Sequence, residues 1–169
     1  MNLDLRQFTT FPTDTVLEAD LDETFDEAFE GFTFKEPTRI ELNIQKLKGE
    51  YFCQGRAVTV VEGECSRCLE NYNGELKGEL YFIIKTSEGK PILASDVTED
   101  VICLKPGEYA VDLTETVKQA FLLEIPMKPI CSENCRGLCP SCGVNLNEET
   151  CGCTGDELDE RWEGLKDLL

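Results

Sequence analysis

Clustered cysteines are the feature of this sequence that most limits how the chain can fold. Eight of its ten cysteines fall into closely spaced groups, and the chain contains no histidine. A soft metal site must therefore use thiolates alone, or thiolates with carboxylates. Catalytic Ser-His-Asp triads and Cys-His nucleophile pairs are excluded for the same reason. The grouped cysteines are Cys65, Cys68, Cys131, Cys135, Cys139, Cys142, Cys151 and Cys153.

The spacing of these cysteines favours all-cysteine zinc sites. A Cys-x-x-Cys turn lets two thiolates converge on one ion, and two such pairs complete a tetrahedral site. Cys139-Pro140-Ser141-Cys142-Gly143 is a strong knuckle sequence, and Cys151-Gly152-Cys153 could close the same site. Cys65 and Cys68 could then pair with Cys131 and Cys135. We expect one or two zinc ions, and the spacing leaves other pairings open.

Two other uses of the cysteines compete with structural zinc. A redox Cys-x-x-Cys usually opens a helix, whereas Cys68 is followed by Leu-Glu-Asn-Tyr-Asn-Gly, which predicts a turn into a strand. Iron is the other candidate, because Cys135-x3-Cys139-x2-Cys142 has the spacing of radical enzymes that cleave S-adenosylmethionine. Those enzymes need a large barrel after the motif, and the residues after Cys142 are too few to form one. The remaining iron possibility is a rubredoxin-like knuckle.

The ends and the hydropathy of the chain favour the cytoplasm. Residues 1–8 have neither the basic nor the apolar region of a signal peptide. No stretch approaches the ~18 apolar residues of a membrane span. Thiols stay reduced in the cytosol, so grouped cysteines there indicate metal or redox chemistry rather than a disulfide framework. Cys53 and Cys103 lie inside strand patterns and are expected to be buried core residues.

The net charge of −18 bears on possible partners. Binding nucleic acid over a broad face needs clustered Lys and Arg, so the charge argues against it. It favours a basic protein partner, or simply solubility. From Asp14 to Glu30 the chain carries eight acids and no base. Apolar residues run through this stretch and just past it at helical spacing, at Leu21, Phe25, Phe29 and Phe32. This pattern predicts an amphipathic acidic helix.

Hydrophobic periodicity predicts an α+β fold, with an antiparallel sheet as its core and a few amphipathic helices. The helix before Pro126 starts near Asp112 and Glu115, which have capping-box spacing, and a second helix is expected after Asp156 around Trp162. Gly55 is a possible bulge, and Asn73-Gly74 predicts a turn. We divide the chain into a core domain, 1–130, which includes the 65–68 knuckle, and a zinc-ribbon-like tail with its helix, 131–169. Predicted strands cover 39–47, 51–61, 75–86, 101–104 and 109–111.

The cysteine regions resemble those of the bacterial YceD family. The resemblance rests on Glu64–Glu70 and on the tail Ile125–Asn147, which includes both Cys-x3-Cys and Cys-Pro-Ser-Cys-Gly. The family's Asp-Leu before a helix that runs into Pro is similar to Asp112-Leu113 with Pro126. Its terminal Asp-Pro-Arg and Leu-x-x-Leu-Lys resemble 159–161 and 162–166, with Glu160 in place of the Pro.

The resemblance implies a role in the accumulation of large-subunit ribosomal RNA, and hence in ribosome biogenesis. It implies no catalytic residue, and the sequence itself shows no phosphate loop or other catalytic constellation, so we expect a non-enzymatic protein. The acidic charge suggests that such a protein acts through a basic ribosomal protein or a pre-ribosomal particle. The alternative is a redox-sensing zinc switch or a thiol-disulfide protein, in which oxidation of the cysteines releases the metal.

Overall fold

The computed structural model of the chain describes residues 1–20, 29–86 and 100–153. These residues form eight strands and one α-helix, with a short 3₁₀ turn at Leu5–Gln7. The arrangement is α+β, as the periodicity predicted. The elements are β1 Asn2–Asp4, β2 Thr13–Ala19, β3 Phe32–Phe34, β4 Thr38–Leu47, β5 Glu50–Glu64, β6 Asn71–Thr86, β7 Val101–Leu104, β8 Ala110–Asp112 and α1 Thr114–Glu124.

A six-stranded sheet with the strand order β2-β4-β5-β6-β7 organises the described chain, and β3 pairs with β5 beside β4. Its centre is the long hairpin of β5 and β6, which pair from Glu50↔Lys85 to Glu64↔Asn71. β1 and β8 form a separate two-stranded sheet. Alternate residues of the central strands are buried, so each strand has one face in the core and one exposed face.

Helix α1 packs against the core face of β6. Val117, Ala120 and Phe121 are its buried residues, and all three belong to the apolar face that helical periodicity predicts together with Leu113 and Ile125. The helix approaches β6 closely at Gly78, where an added Cβ would lie 2.9 Å from the Ala120 Cβ. The fully buried apolar side chains of the core include Leu3, Leu5, Ile40, Ile44, Leu80, Ile84, Val111, Leu113 and Phe121.

The structure corrects three local predictions. Asn73-Gly74 does not form a turn, because both residues lie inside β6 and the chain reverses earlier, at 65–70. The sheet is not wholly antiparallel, because β7 runs parallel to β6 from Ile83↔Val101 to Thr86↔Leu104. Gly55 is not a bulge, because the register of β5 passes through it without interruption on both sides.

The predicted acidic helix is also wrong where it can be checked. Its first residues belong to strand β2, and Phe32 belongs to β3. The stretch that contains Leu21 and Phe25 lies outside the described residues, as does the helix predicted around Trp162. The domain boundary at 130 and 131 stays a prediction. No helix in the described ranges combines the length and apolar character needed to cross a membrane.

Asp112 shapes the start of α1 and gives the fold a pH dependence. Its carboxylate accepts hydrogen bonds from the Thr114 hydroxyl and N–H, and these bonds lower its pKa to about 2. Because the folded-state pKa is depressed, this stabilisation is present above the unfolded value of 3.8 and is lost as pH falls toward 2. We expect Asp112→Asn to remove that dependence, at a cost below about 1 kcal/mol at this exposed site. Denaturant unfolding between pH 2 and 6 measures it, with Glu124→Gln as the control.

Candidate metal centres

The first Cys-x-x-Cys forms the tip of the β5–β6 hairpin. Antiparallel pairing ends at Glu64↔Asn71, and the chain reverses across the residues between them. The Cys65 N–H donates to the Glu70 carbonyl at 2.9 Å, and the Leu69 N–H donates to the Cys65 carbonyl at 2.9 Å. This tight turn places both thiols at one end of the sheet. It is not a helix N-terminus, which is the setting of a redox Cys-x-x-Cys.

The tail docks on this tip mainly through backbone groups. The N–H and hydroxyl of Ser66 both donate to the Pro129 carbonyl, at 2.8 and 2.9 Å. The Arg67 guanidinium donates to the carbonyls of Glu133 and Cys135, at 3.3 and 3.0 Å. Since the tail contributes a main-chain carbonyl to each of these four bonds, the docking depends on the path of the tail more than on its side chains.

This docking assembles the first cysteine cluster from two distant parts of the chain. The sulfurs of Cys65, Cys68, Cys131 and Cys135 all lie within 4.8 Å of one another. Cys65 Sγ is 3.8 Å from Cys135 Sγ, and Cys68 Sγ is 3.8 Å from Cys131 Sγ. Three of the four residues are buried, and Tyr72 and Ile130 pack against them. The cluster therefore joins the sheet to the tail.

The second cluster lies within the tail. Residues 137–146 form a small hairpin in which Leu138 pairs with Asn145 and the Cys139 N–H donates to the Val144 carbonyl at 2.9 Å. Cys139 and Cys142 sit at its turn, and their sulfurs lie within 4.8 Å of those of Cys151 and Cys153. Only Cys139 is buried, so this cluster is the more open of the two.

The geometry of the clusters fits a single tetrahedral ion. Four sulfurs at the usual Zn–S distance of about 2.3 Å lie about 3.8 Å apart, which matches the separations in the first cluster. All ten thiols are free, so no disulfide competes for these sulfurs. The clusters are the two groups that the simplest reading of the spacing produced. Both are positioned to hold a metal ion, and metal binding by these eight residues stays a prediction.

Iron in its multinuclear form is a poorer fit. The spacing typical of S-adenosylmethionine radical enzymes would bring Cys135, Cys139 and Cys142 to one cluster. The structure instead divides them, with Cys135 in the first group and the other two in the second. A cluster with several iron atoms also spreads its thiolates further than one ion does. A mononuclear iron has the same tetrahedral demand as zinc and remains compatible with this geometry.

Backbone N–H groups stabilise one thiolate in each cluster. Burial raises the pKa of Cys65, but the N–H groups of Cys68, Cys131 and Arg67 outweigh it and lower the pKa to about 6. The N–H groups of Cys142 and Ser141 lower the pKa of Cys139 to about 6. Peptide N–H groups directed at sulfur favour the charged form, which is the form that binds metal.

Neighbouring sulfur atoms help to raise the pKa of another thiol in each cluster. The Glu70 N–H favours the Cys68 thiolate, but burial and the neighbouring cysteines raise its pKa well above the usual range. In the second cluster, Cys142 and Cys139 raise the pKa of their neighbour Cys153 in the same way. Four thiolates so close together repel one another without a cation between them. Metal binding at either cluster is therefore expected to release protons.

Three residues that support the clusters were missed by the sequence analysis. The Asn147 side-chain N–H donates to Cys135 Sγ at 3.4 Å and is the main cause of the lowered pKa of that thiol. Arg67 fastens the tail, and Leu69 closes the first knuckle with a left-handed φ of 61°. The signal for Leu69 was its position, because it follows the second Cys of its knuckle as Gly143 does. Asn147 and Arg67 gave no local signal.

The two knuckles share one backbone conformation but use different residues for it. Gly143 has a φ of 74° and donates to the Cys139 carbonyl at 2.8 Å, as Leu69 does to Cys65. A left-handed φ costs a non-glycine residue about 1–2 kcal/mol. Glycine avoids this cost, but it loses more conformational freedom on folding, which offsets part of the gain. We expect Leu69→Gly to stabilise the metal-loaded protein by up to about 1 kcal/mol, measured by denaturant unfolding.

The reciprocal substitution provides the matched control. Gly143→Leu introduces the same strain at the second knuckle, where nothing lies within 4 Å of an added Cβ. It should therefore destabilise by about 1–2 kcal/mol through φ alone. If both substitutions change the free energy of unfolding in the same direction, the two knuckles are not equivalent.

Sequence comparison places the chain among known proteins. A family model described as large ribosomal RNA subunit accumulation protein YceD matches residues 53–169. An uncharacterized protein of Mycobacterium tuberculosis is 28% identical over 130 residues, which cover 77% of this chain and 61% of the relative. No solved structure matches the chain.

Two plant relatives carry a descriptive name. The large ribosomal RNA subunit accumulation protein YCED homolog 1, chloroplastic, of Arabidopsis thaliana is 25% identical over 78% of this chain and 48% of its own length. Its counterpart in Zea mays is 24% identical over 70% of this chain and 48% of its own length. The chain thus spans between about half and three fifths of the length of these curated relatives. The family match extends over more than half of the chain and includes all eight clustered cysteines, so this chain belongs to the YceD family.

Proposed function

We propose that this protein is a non-enzymatic ribosome-biogenesis factor that supports accumulation of large-subunit ribosomal RNA. The observation that carries the proposal is the YceD family match across residues 53–169. The plant relatives bear the same description in their names. The four sulfurs of each cluster would fill all four positions around an ion, as in a purely structural site. No position would then be left for water or substrate. The protein would act in the cytoplasm of its cell.

The proposed route to the RNA is a protein. A charge of −18 disfavours direct contact with phosphates over a broad face and favours a basic ribosomal protein or a pre-ribosomal particle. Exposed acids such as Asp14 and Glu18 of β2 support this route. Electrostatic association of this kind should weaken steeply with salt.

The partner is tested with individually purified basic proteins of the large ribosomal subunit. We expect at least one to bind with an affinity that falls more than tenfold between 50 and 300 mM salt. Large-subunit ribosomal RNA carrying no protein is the comparison ligand. Tight binding to that bare RNA, or a protein complex indifferent to salt, would overturn the proposed route. Normal large-subunit RNA levels in cells lacking the protein would overturn the function itself.

Zinc is the proposed occupant of both clusters, in a zinc-ribbon-like tail. Tetrahedral four-thiolate sites suit zinc, and the first cluster has the required sulfur separations. Bound zinc would hold the tail to the hairpin tip and replace part of a hydrophobic core. Elemental analysis of the reduced protein should find two zinc atoms per chain. One zinc would leave the second cluster for thiol chemistry, and iron would overturn the assignment.

Exposure of the second cluster favours one alternative function, a redox-sensing zinc switch. Cys142 and Cys153 are exposed, and the thiolate form of Cys139 is stabilised beside them. Peroxide would accept two electrons from a pair of thiolates, which then form a disulfide and release the metal. Mild peroxide should in that case release one zinc per chain and leave the first cluster loaded. Retention of both ions would exclude the switch.

A further inference from the structure

We propose that the free edge of β2 is a docking site for an extended basic segment of the partner, which adds to the sheet as a further strand. The inference rests on the proposed function for the existence of a basic partner, and it assigns the surface that the partner uses. β2 stands at the end of the strand order and pairs with β4 from Thr13↔Ile44 to Ala19↔Thr38. Within residues 1–20, 29–86 and 100–153, no strand pairs with its other side.

This edge has few of the features that usually protect a sheet edge. Such edges are commonly short, interrupted by a bulge or proline, or covered with lysine. β2 pairs over seven residues without a break in register, and Pro12 lies just before it. The opposite edge, β7, has only four residues. β2 therefore offers a longer row of backbone donors and acceptors than the other edge of the same sheet.

The exposed side chains of β2 form a regular pattern. Burial alternates along the strand, so that Asp14, Val16 and Glu18 point to the exposed face. Val16 is 52% exposed between the two carboxylates. Leu17, on the opposite face, packs against the core and holds the strand in place. The exposed row is thus acidic, apolar and acidic at successive alternate positions.

This pattern specifies the occupant. Side chains of paired strands meet directly across the ladder, and opposite charges there are stabilising. A complementary strand would carry Lys or Arg opposite Asp14 and Glu18, with an apolar residue opposite Val16. The net charge of the whole chain would draw such a segment in and repel an acidic one. Main-chain hydrogen bonds would supply affinity, as in other cases of strand addition.

A surface hollow next to β2 suits the long side chains of such a segment. It has a volume of about 510 Å³, and Asp14, Val16 and Glu79 contribute to its lining. Glu41 and Arg56 also line it, but they pair with each other, and Glu41 pairs with Arg39 as well. Among the described residues, Asp14 accepts one hydrogen bond, from the neutral Asn43 side chain at 2.7 Å, and forms no ion pair. A lysine or arginine reaching into the hollow would meet that carboxylate.

The probe is the synthetic peptide Thr-Lys-Thr-Val-Thr-Lys-Thr, acetylated and amidated, added to isotope-labelled full-length protein. In NMR spectra at low salt, we expect chemical-shift changes along β2 and slower hydrogen exchange at the β2 amides that point away from β4. The same peptide with Glu for Lys, and one with N-methylated backbone amides, should each bind at least tenfold more weakly. The first comparison isolates the charge pattern, and the second isolates the strand pairing.

Protein variants provide the reverse test. Asp14→Lys with Glu18→Lys should lose at least tenfold in affinity for the Lys peptide and gain affinity for the Glu peptide. Glu108→Lys with Glu115→Lys makes the same change of net charge on exposed residues away from β2 and should retain most of the affinity. The spectra show directly whether each variant is folded, and the peptide comparisons need no variant.

Four results would overturn the inference. The β2 amides that point away from β4 could exchange slowly before any peptide is added, which would mean that the chain itself covers the edge. The N-methylated peptide could bind as well as its parent, or the control pair of substitutions could weaken binding as much as the β2 pair. A basic ribosomal protein that binds the β2 double variant normally would defeat this inference alone. Failure of every basic protein to bind would defeat the proposed partner instead.

Discussion

Cys65→Ser is expected to lower the metal content from two ions per chain to one and to release the tail from the hairpin tip. Cys65 is fully buried, and in the first cluster its thiolate, the proposed ligand, is the one best supported by backbone N–H groups. With free zinc at ~1,000 times the dissociation constant, loss of one site costs about 4 kcal/mol. Elemental analysis gives the metal content. Hydrogen exchange at the amides of Ser66 and Leu138, which bond Pro129 and Arg67, reports the docking.

Two matched substitutions show whether the effect belongs to the first cluster. Cys142→Ser should also remove one ion, but the Ser66 and Leu138 amides should stay protected because the second cluster lies within the tail. Cys103→Ser, in the half-buried strand position of β7, should leave both ions in place. Loss of tail docking in Cys142→Ser, or two ions in Cys65→Ser, would contradict the assignment of ligands to clusters.

The grouping of the cysteines was accessible from the sequence because each pair is local. A Cys-x-x-Cys turn brings its two sulfurs together whatever surrounds it, and only the joining of pairs requires a fold. The tail knuckle lies close in sequence to Cys151 and Cys153, which favoured one metal site there. The remaining cysteine pairs were then left for a second site. Support from Asn147 could not be inferred, because its contact with Cys135 depends on how the small hairpin turns back.

The errors in the fold come from tertiary structure overriding local signals. Asn73-Gly74 has strong turn chemistry, but the knuckle reverses the chain first and sets the register Glu64↔Asn71. The stretch from Asp14 to Ala19 was assigned to an acidic helix. Its alternating burial is instead that of a strand at the edge of a sheet. The parallel direction of β7 is invisible in a four-residue apolar run, because such a run pairs equally well either way.

Gly55 is the sheet position where we expect a single methyl group to do the most damage. A Cβ there would lie 1.9 Å from the Glu41 carbonyl oxygen and 2.9 Å from the Leu42 Cα. Both are backbone atoms of β4, which pairs with β5 at this point, so no side chain can move aside to relieve the clash. We expect Gly55→Ala to destabilise the protein by about 3 kcal/mol. Denaturant unfolding of the metal-loaded protein measures it.

Gly74→Ala separates this steric effect from the general effect of adding a methyl group to the sheet. An added Cβ at Gly74 meets the Tyr72 ring at 3.2 Å, and that ring belongs to a side chain that can shift. Its cost should stay within about 0.5 kcal/mol. Since β5 leads from Gly55 to the hairpin tip, Gly55→Ala should also weaken metal retention at Cys65 and Cys68, whereas the tail cluster should keep its ion. Equal stability of the two variants would mean that β4 and β5 approach each other less closely at Gly55 than the 1.9 Å contact indicates.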